Sequence, residues 1–513
     1  MTHSNASIHA LLPFTGRQAC VALMLFGALS ALSGCTVLTD FSECDTDADC
    51  AQGICTDGIC QVELTCTERA DCLDFDPSAY CLAGQCAAID PQRCGRFGDV
   101  FRTDADGVII PIGALMPLTG TNQIKGEAAS DGAELALRQI NASGGSTGGK
   151  FGLIVCDTGY DPKRAVEQAN YLHQELGVQA LLGAISSAET LAVVDQVATP
   201  NQLLMISPAS TSPGLSRRSN YFWRTIPSDA VQAPVMADLL AKRGVERALL
   251  LYGGEADPYG NGFFNALTFY WAENPSLKPK QLDILTFDTS NPTANIDAIG
   301  KAHFLAATNN KPQAVILIGS LSSSDILARL EADYIQALPA ADRPLWVLPE
   351  AMRDRTLLEK SGIKPAYDRI IGTSPLRTET PIFETYETLL KVTFNREARD
   401  YQFPDKAYDA AYLLALTYGA QLDPLRATGA SLNAIMANIS SQGPTSNLLG
   451  NQYSSIAGAL RDGQMVNVVG VSGELDFNDA QEVSDAQIAT WIIDVSSGSP
   501  EFVEAPSNTD TPQ

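Results

Sequence analysis

Residues 203–213 read Leu-Leu-Met-Ile-Ser-Pro-Ala-Ser-Thr-Ser-Pro. Four apolar residues form the pattern of a buried strand, and the run then breaks into Ser207, Pro208, Ser210, Thr211, Ser212 and Pro213. In an open parallel α/β sheet, ligands sit beyond the carboxyl ends of the strands, which is where this hydroxyl cluster falls. The preceding strand, Leu181–Ile185, repeats the arrangement: it runs into Ser186 and Ser187, and a helical pattern (Ala188, Leu191, Val194, Val197) begins at once. Ser187 can therefore present a hydroxyl and a backbone N–H at a helix start, where free donors and the helix dipole favour a carboxylate. Ser and Thr after a strand also serve as plain N-caps and turn formers, and that reading stands beside the first.

Working outward, strand and helix patterns alternate from Ile109 onward, as in a parallel α/β sheet. A first set runs from Ile109–Leu118 and Gly126–Ile140 through Leu153–Cys156 and Ala165–Leu176 to Leu203–Ile206 and Tyr221–Ile226. A second set covers Val235–Leu240, Ala248–Tyr252, Phe263–Trp271, Leu282–Phe287, Ile296–Leu305, Ala314–Ile318, Ile326–Leu338 and Leu345–Leu348. Ile370–Thr373, Phe383–Val392, Ala407–Gln421 and Ala489–Val495 follow. Two successive α/β sets predict a two-lobed domain over 109–500: lobe 1 about 109–228 and 372–450, lobe 2 about 229–371 and 451–500. Residues 95–108 read as a linker, and the polar 501–513 as a disordered tail.

The first 34 residues carry Arg17, no acid and an apolar run from Ala19 to Leu32, too short for an ordinary membrane-spanning helix. They describe an export signal. The terminal Leu32-Ser33-Gly34-Cys35 resembles a bacterial lipobox, which implies cleavage and lipid attachment at Cys35, with 35–43 as the anchored linker; the alternative is a secreted protein without lipid. The formal net charge is −25, with 34 basic against 59 acidic residues, so nucleic acid and anionic lipid surfaces are not expected partners. Of four histidines only His173 and His303 follow the leader, which argues against a His-based metal site or Ser-His relay.

Between residues 44 and 94 a four-cysteine unit occurs twice: Cys44, Cys50, Cys55, Cys60, then Cys66, Cys72, Cys81, Cys86. Modules this small lack a core of their own and are stapled, two bridges each, with three pairings open per unit. Zinc is the rival reading, although no Cys-x2-Cys and no histidine occurs there. Cys94 and Cys156 form an even remainder that a bridge from this collar to the main domain would use. The collar resembles the Cys-rich modules of bacterial surface lipoproteins, which suggests a spacer or contact module.

A specific resemblance covers residues 109–500. Ile112-Gly113-Ala114-Leu115-Met116-Pro117-Leu118-Thr119-Gly120, Gly126-x5-Gly132-x-Glu134-Leu135-Ala136, Cys156-Asp157-Thr158, Ile206-Ser207-Pro208-Ala209-Ser210-Thr211, Tyr259-Gly260-x-Gly262, Pro349-Glu350 and Ala407-Tyr408-Asp409-Ala410 occur in that order. Together they resemble the type I periplasmic binding proteins for branched-chain amino acids and amides. The resemblance implies two α/β lobes closing on a small solute. It assigns the ligand carboxylate to Ser187 and Thr211, the ammonium to the Ala209 carbonyl and Glu350, and a pocket wall to Tyr259. Aromatics that cover the ligand in relatives align near Lys125 and near Ser320–Ser322, so a more polar pocket is expected, and Lys125 would suit an acidic or amide-bearing amino acid. The family's disulfide in the first lobe is missing, with Ser186 in the partner's place, which frees Cys156 for Cys94.

The expected protein is a lipid-anchored solute-binding protein of the cell envelope, monomeric and without cofactor or metal. It would deliver an amino acid or similar polar solute to an ABC permease. The alternative keeps the fold as a ligand-sensing surface receptor; Thr36 after the lipidation cysteine leans towards the outer membrane. No nucleophile-base pairing or phosphate-cradling loop points to an enzyme.

Overall fold

In the computed structural model, residues 44, 46–49, 54–56, 59–61, 65–103, 107–294, 311–377, 380–439, 441–484 and 486–505 are described. The chain divides into two units, residues 1–64 and 65–513. In the first, strands β1 (Ile54–Thr56) and β2 (Ile59–Gln61) pair as an antiparallel hairpin. Cys44 is disulfide-bonded. The lipidation site Cys35, Cys50 and the side chains of Cys55 and Cys60 lie outside the described residues, as do the Ile296–Leu305 helix pattern and His303.

The second unit opens with the second cysteine repeat, where β3 (Tyr80–Leu82) and β4 (Gln85–Ala87) form a hairpin. Its bridges are Cys66–Cys81 and Cys72–Cys86, first to third and second to fourth, and Cys94–Cys156 joins it to the main domain. This repeat is no spacer. Tyr80 is fully buried and its hydroxyl donates to the Leu176 carbonyl at 2.5 Å, while Arg69 donates to the Phe101 carbonyl at 2.6 Å. The expected linker 95–108 likewise folds: β5 (Arg96–Phe97) adds antiparallel to the main sheet, and Val100 and Phe101 on a short helix enter the core that Tyr80, Ile89 and Cys94 share. Its apolar residues bury against the lobe, and β5 covers a strand edge.

Lobe 1 is built on a six-stranded sheet ordered β10-β9-β8-β6-β7-β5. Its strands are β6 (Ile109–Met116), β7 (Lys150–Asp157), β8 (Ala180–Gly183), β9 (Leu204–Ser207) and β10 (Phe222–Arg224), parallel except for β5. All but Lys150 and the two residues of β5 are buried, as expected of strands covered on both faces. Helices Gln123–Ala142 and Pro404–Gly419 pack on one face. The spacing Gly126-x5-Gly132 has a steric reason. A Cβ on Gly126 would stand 2.0 Å from the Pro117 carbonyl oxygen, and one on Gly132 1.9 Å from that of Pro404.

Lobe 2 carries a seven-stranded sheet ordered β12-β11-β13-β14-β15-β19-β20. It comprises β11 (Arg247–Tyr252), β12 (Gln281–Thr286), β13 (Ala314–Ile318), β14 (Leu345–Leu348), β15 (Ile370–Pro375), β19 (Ile488–Asp494) and β20 (Glu501–Glu504). The lobe boundaries differ from the sequence reading. Residues 451–484 belong to lobe 1, since Tyr453, Ile456, Leu460, Val468 and Leu475 lie in the core of Ala133, Tyr408 and Tyr412. Strands β16 (Thr445–Asn447), β17 (Asn467–Gly470) and β18 (Gly473–Glu474) form a small sheet there. The expected tail also starts too early, because Glu501–Glu504 pairs with β19. The chain therefore crosses between lobes three times: after β10, after β15 and before β19. The first and third crossings touch, Arg224 bridging Glu482, and Leu376 N–H after β15 bonds the Gln487 carbonyl of the third.

Candidate functional site

The lobe 1 side is built from two strand ends. Beyond β8, Ser186 and Glu189 form a reciprocal cap: Ser186 Oγ accepts from the Glu189 N–H at 3.2 Å, and Glu189 Oε2 accepts from the Ser186 N–H at 3.0 Å. This fixes Ser187 as the first residue of the helix Ser187–Val193, and its Oγ accepts from the Ser212 N–H at 3.2 Å. Beyond β9, Ser207 Oγ accepts from the N–H groups of Ala209 and Ser210 and donates to the Ala184 carbonyl at 2.8 Å, folding the chain back on itself. The Thr211 carbonyl accepts from Asp229 N–H at 2.9 Å. Among the described residues, the Ala209 carbonyl and the Thr211 N–H make no hydrogen bond. The seat thus keeps one acceptor and one donor uncommitted.

Lobe 2 brings the opposite charge. Asp257 caps the helix Pro258–Glu273 and sets Tyr259 in its first turn, and β14 ends in the turn Glu350–Met352. Tyr259 donates from its hydroxyl to Glu350, 3.2 and 3.3 Å from the two carboxylate oxygens, and Thr211 Oγ1 reaches Glu350 Oε1 from lobe 1 at 3.4 Å. Lys125 Nζ donates to the Ala351 carbonyl at 2.6 Å, and Ser212 Oγ to the Pro258 carbonyl at 2.7 Å. The lobes are therefore in contact at the site. All six residues singled out from the sequence, Ser187, Ala209, Thr211, Tyr259, Glu350 and Lys125, are brought to this junction.

The sequence reading missed two further residues. Asp229, first in the helix Asp229–Lys242, is completely buried, and neither carboxylate oxygen finds a hydrogen-bond partner. Burial raises its pKa well above the usual carboxylate range, and the Glu350 charge adds to this. Burial likewise raises Glu350, against the opposing pull of Gln232, Tyr259 and Lys125. Tyr160, in left-handed backbone at φ 64°, faces the same acidic group, since Glu189, Asp257 and Glu350 all raise its hydroxyl pKa after burial itself. Asp229 looks in sequence like an ordinary helix-start acid; only its tertiary isolation marks it. Lys125 is lowered by burial and partly restored by Asp354 and Glu350. Two buried carboxylates lacking full partners beside one tied lysine make a site suited to a cation.

His173 Nδ1 lies 3.1 Å from the Val178 carbonyl, a structural contact. The Sγ atoms of Cys66, Cys72 and Cys86 cluster, but the disulfides account for them.

Residues 109–332 match the profile of the periplasmic binding protein family. The solved branched-chain amino acid transporter substrate binding protein LivJ from Streptococcus pneumoniae, in complex with isoleucine, superposes over 77% of this chain and 100% of its own, with TM-score 0.59 and 18% identity. A possible leucine/isoleucine/valine-binding protein from Rhodopirellula baltica covers 79% of this chain and 98% of its own, with TM-score 0.61 and 15% identity. The fold is that of the type I periplasmic binding proteins, and over residues 109–332 the sequence is similar to leucine/isoleucine/valine-binding proteins of that family. Sequences similar to this chain include Leu/Ile/Val-binding protein homolog 3 of Brucella melitensis, 34% identical over 159 residues, 31% of this chain and 42% of the relative. The leucine-, isoleucine-, valine-, threonine-, and alanine-binding protein of Pseudomonas aeruginosa is 31% identical over 154 residues, 30% of this chain and 40% of the relative. The match thus spans less than half the length of either curated relative. Among the described residues, no helix is long and apolar enough to cross a membrane.

Proposed function

We propose that the protein captures a small α-amino acid between its two lobes and presents it to an ABC-type permease, tethered outside the cytoplasm by a lipid on Cys35. The observation that carries this reading is the meeting of an uncommitted Thr211 N–H and Ala209 carbonyl with the buried acids Asp229 and Glu350. A zwitterion needs donors at one end and acceptors at the other. Dividing these between the lobes makes the ligand favour the closed arrangement. In this reading Ser187 and Thr211 hold the carboxylate, while Ala209, Asp229 and Glu350 take the ammonium. Tyr259 orients Glu350 and walls the pocket. Lys125, engaged with Ala351 and beside Asp354, acts as a contact between lobes, so a ligand with a neutral side chain fits better than an acidic one.

The test is a thermal-shift screen of the exported protein against the twenty common L-amino acids, their amides and small carboxylates. A ligand bound only by the folded state raises the melting temperature by mass action. A shift with one or more α-amino acids and none with the matching carboxylic acids supports the reading. A shift confined to compounds without an amine would reject it.

A further inference from the structure

Arg224 ends β10 at the root of the first crossing, and it is completely buried. Its Nη1 donates to the carbonyls of Ser210 at 3.1 Å and Ser212 at 2.9 Å, the residues on either side of Thr211. Its Nε and Nη2 donate to Glu482 Oε2, and Nη2 also reaches Ser216 Oγ at 2.8 Å, which in turn donates to Glu482 at 2.8 Å. Glu482 lies just ahead of the third crossing, and the Arg224 N–H bonds the neighbouring Gln481 carbonyl.

The peptide between Ser210 and Thr211 is trans, the one cis bond among the described residues being Gly183–Ala184. In a trans peptide the carbonyl of one residue and the N–H of the next point in opposite directions. Arg224 pulls the Ser210 carbonyl to the rear of the loop. The Thr211 N–H is thereby turned forward, which accounts for its lack of a partner among the described residues. The planar fork of an arginine can hold two carbonyls and a carboxylate at once, which a lysine ammonium on its flexible stem cannot match.

We infer that Arg224, held by Glu482, is the positioning residue of the seat: it aims the Thr211 N–H at the ligand carboxylate and ties that orientation to the first and third lobe crossings. It touches no ligand itself. The inference deepens the amino-acid reading and rests on it for the identity of the group received. The orientation of the peptide does not depend on that reading.

The experiment has two arms, on Arg224→Lys, Glu482→Gln and the milder Ser216→Ala, each first checked for a cooperative melt. In the first, crystal structures of the ligand-free parent and variants are compared at the Ser210–Thr211 peptide. Rotation or disorder of that peptide in Arg224→Lys or Glu482→Gln is expected; an unchanged peptide in both overturns the inference. In the second, calorimetry compares L-leucine with 3-methylbutylamine, the same molecule without its carboxylate. Arg224→Lys is expected to weaken L-leucine about tenfold or more, a loss of roughly 1.4 kcal/mol, while leaving the amine within about twofold of its parent value, judged against the same scale. Equal loss for both compounds means a general structural role and also overturns it. If the parent binds no amino acid, the functional reading fails and the first arm still decides the inference.

Discussion

Glu350→Gln separates a ligand-binding carboxylate from a structural one, because the two roles predict opposite signs. Glu350 is buried, with Tyr259 and Thr211 donating to it and the orphaned carboxylate of Asp229 raising its energy. Glutamine keeps the volume and one acceptor for Tyr259 but removes the charge. In the ligand complex the ammonium loses a charged hydrogen bond worth about 1.5–3 kcal/mol, which corresponds to a Kd roughly 10- to 150-fold weaker. Asp229 offsets part of this. Without the Glu350 charge its own ionisation becomes easier, so the loss belongs near the lower end. In the ligand-free protein the same substitution relieves repulsion between two buried acids, and the melting temperature should stay level or rise. Calorimetry with L-leucine, or the amino acid found in the screen, gives the first quantity, and a thermal melt at the same pH gives the second. A lowered melting temperature with unchanged affinity would refute the assignment and make Glu350 a structural residue.

Four further outcomes follow from the same geometry. Thr211→Val, which keeps the shape and the backbone N–H, should weaken amino-acid binding by about 1–2 kcal/mol in calorimetry; equal affinity would remove its hydroxyl from the site. Lys125→Met removes the bond to Ala351 and should raise the radius of gyration of the ligand-free protein in X-ray scattering, whereas an unchanged value would mean that the lysine does not hold the lobes together. The raised pKa values of Asp229 and Glu350 mean that binding an ammonium must displace protons from them, so affinity should rise with pH above the ordinary carboxylate range; calorimetry in buffers of different ionisation enthalpy should register proton release, and uptake would contradict the scheme. Burial raises Asp409 to about 7, outweighing the hydrogen bonds from Val471 and Ser472, so the folded state binds this proton more tightly than the unfolded chain. Its contribution to stability is therefore full below about pH 4 and is lost as pH rises towards 7, a change on the order of 4 kcal/mol; urea melts across that range should show the slope flattened in Asp409→Asn.

Much of the fold was legible because its strands are short, apolar and punctuated by turn residues. The placement of Ser186-Ser187 and Ser207–Ser212 at the candidate seat was legible because they stand where two such strands stop. Less legible was which lobe owns the chain after β15. Helix patterns such as Tyr453–Arg461 carry no label for the core they join, and Tyr453 meets Phe151 and Tyr412 because the chain, back in lobe 1 after β15, does not cross again until just before β19. Asp229 was hidden for a related reason. At the first position of a helix after Ser228 an acid is favourable on local grounds alone, and its burial beside Glu350 is set by tertiary packing that no local pattern shows. The cysteine pattern pointed to the Cys94–Cys156 bridge, but composition hid the apolar surface of Tyr80 and Ile89, continued by Val100 and Phe101, by which the second repeat and the segment after it join lobe 1.

That joining has a mechanical consequence. The second repeat is bound to lobe 1 by the Cys94–Cys156 bridge, by β5 along the edge of β7, and by Arg69 and Tyr80 donating to backbone carbonyls. Lobe 2 receives its chain only through the three crossings, two of them meeting at Arg224 and Glu482. Any closing motion is therefore a movement of lobe 2 towards a lobe 1 that carries the second repeat with it. The proposed donors for the carboxylate, Ser187 and Thr211, lie on the lobe 1 side, and Glu350 and Tyr259 lie on the lobe 2 side. A ligand held first by its carboxylate would meet its ammonium partners only as lobe 2 arrives, so the energy of the ammonium contacts is available to drive closure rather than initial capture.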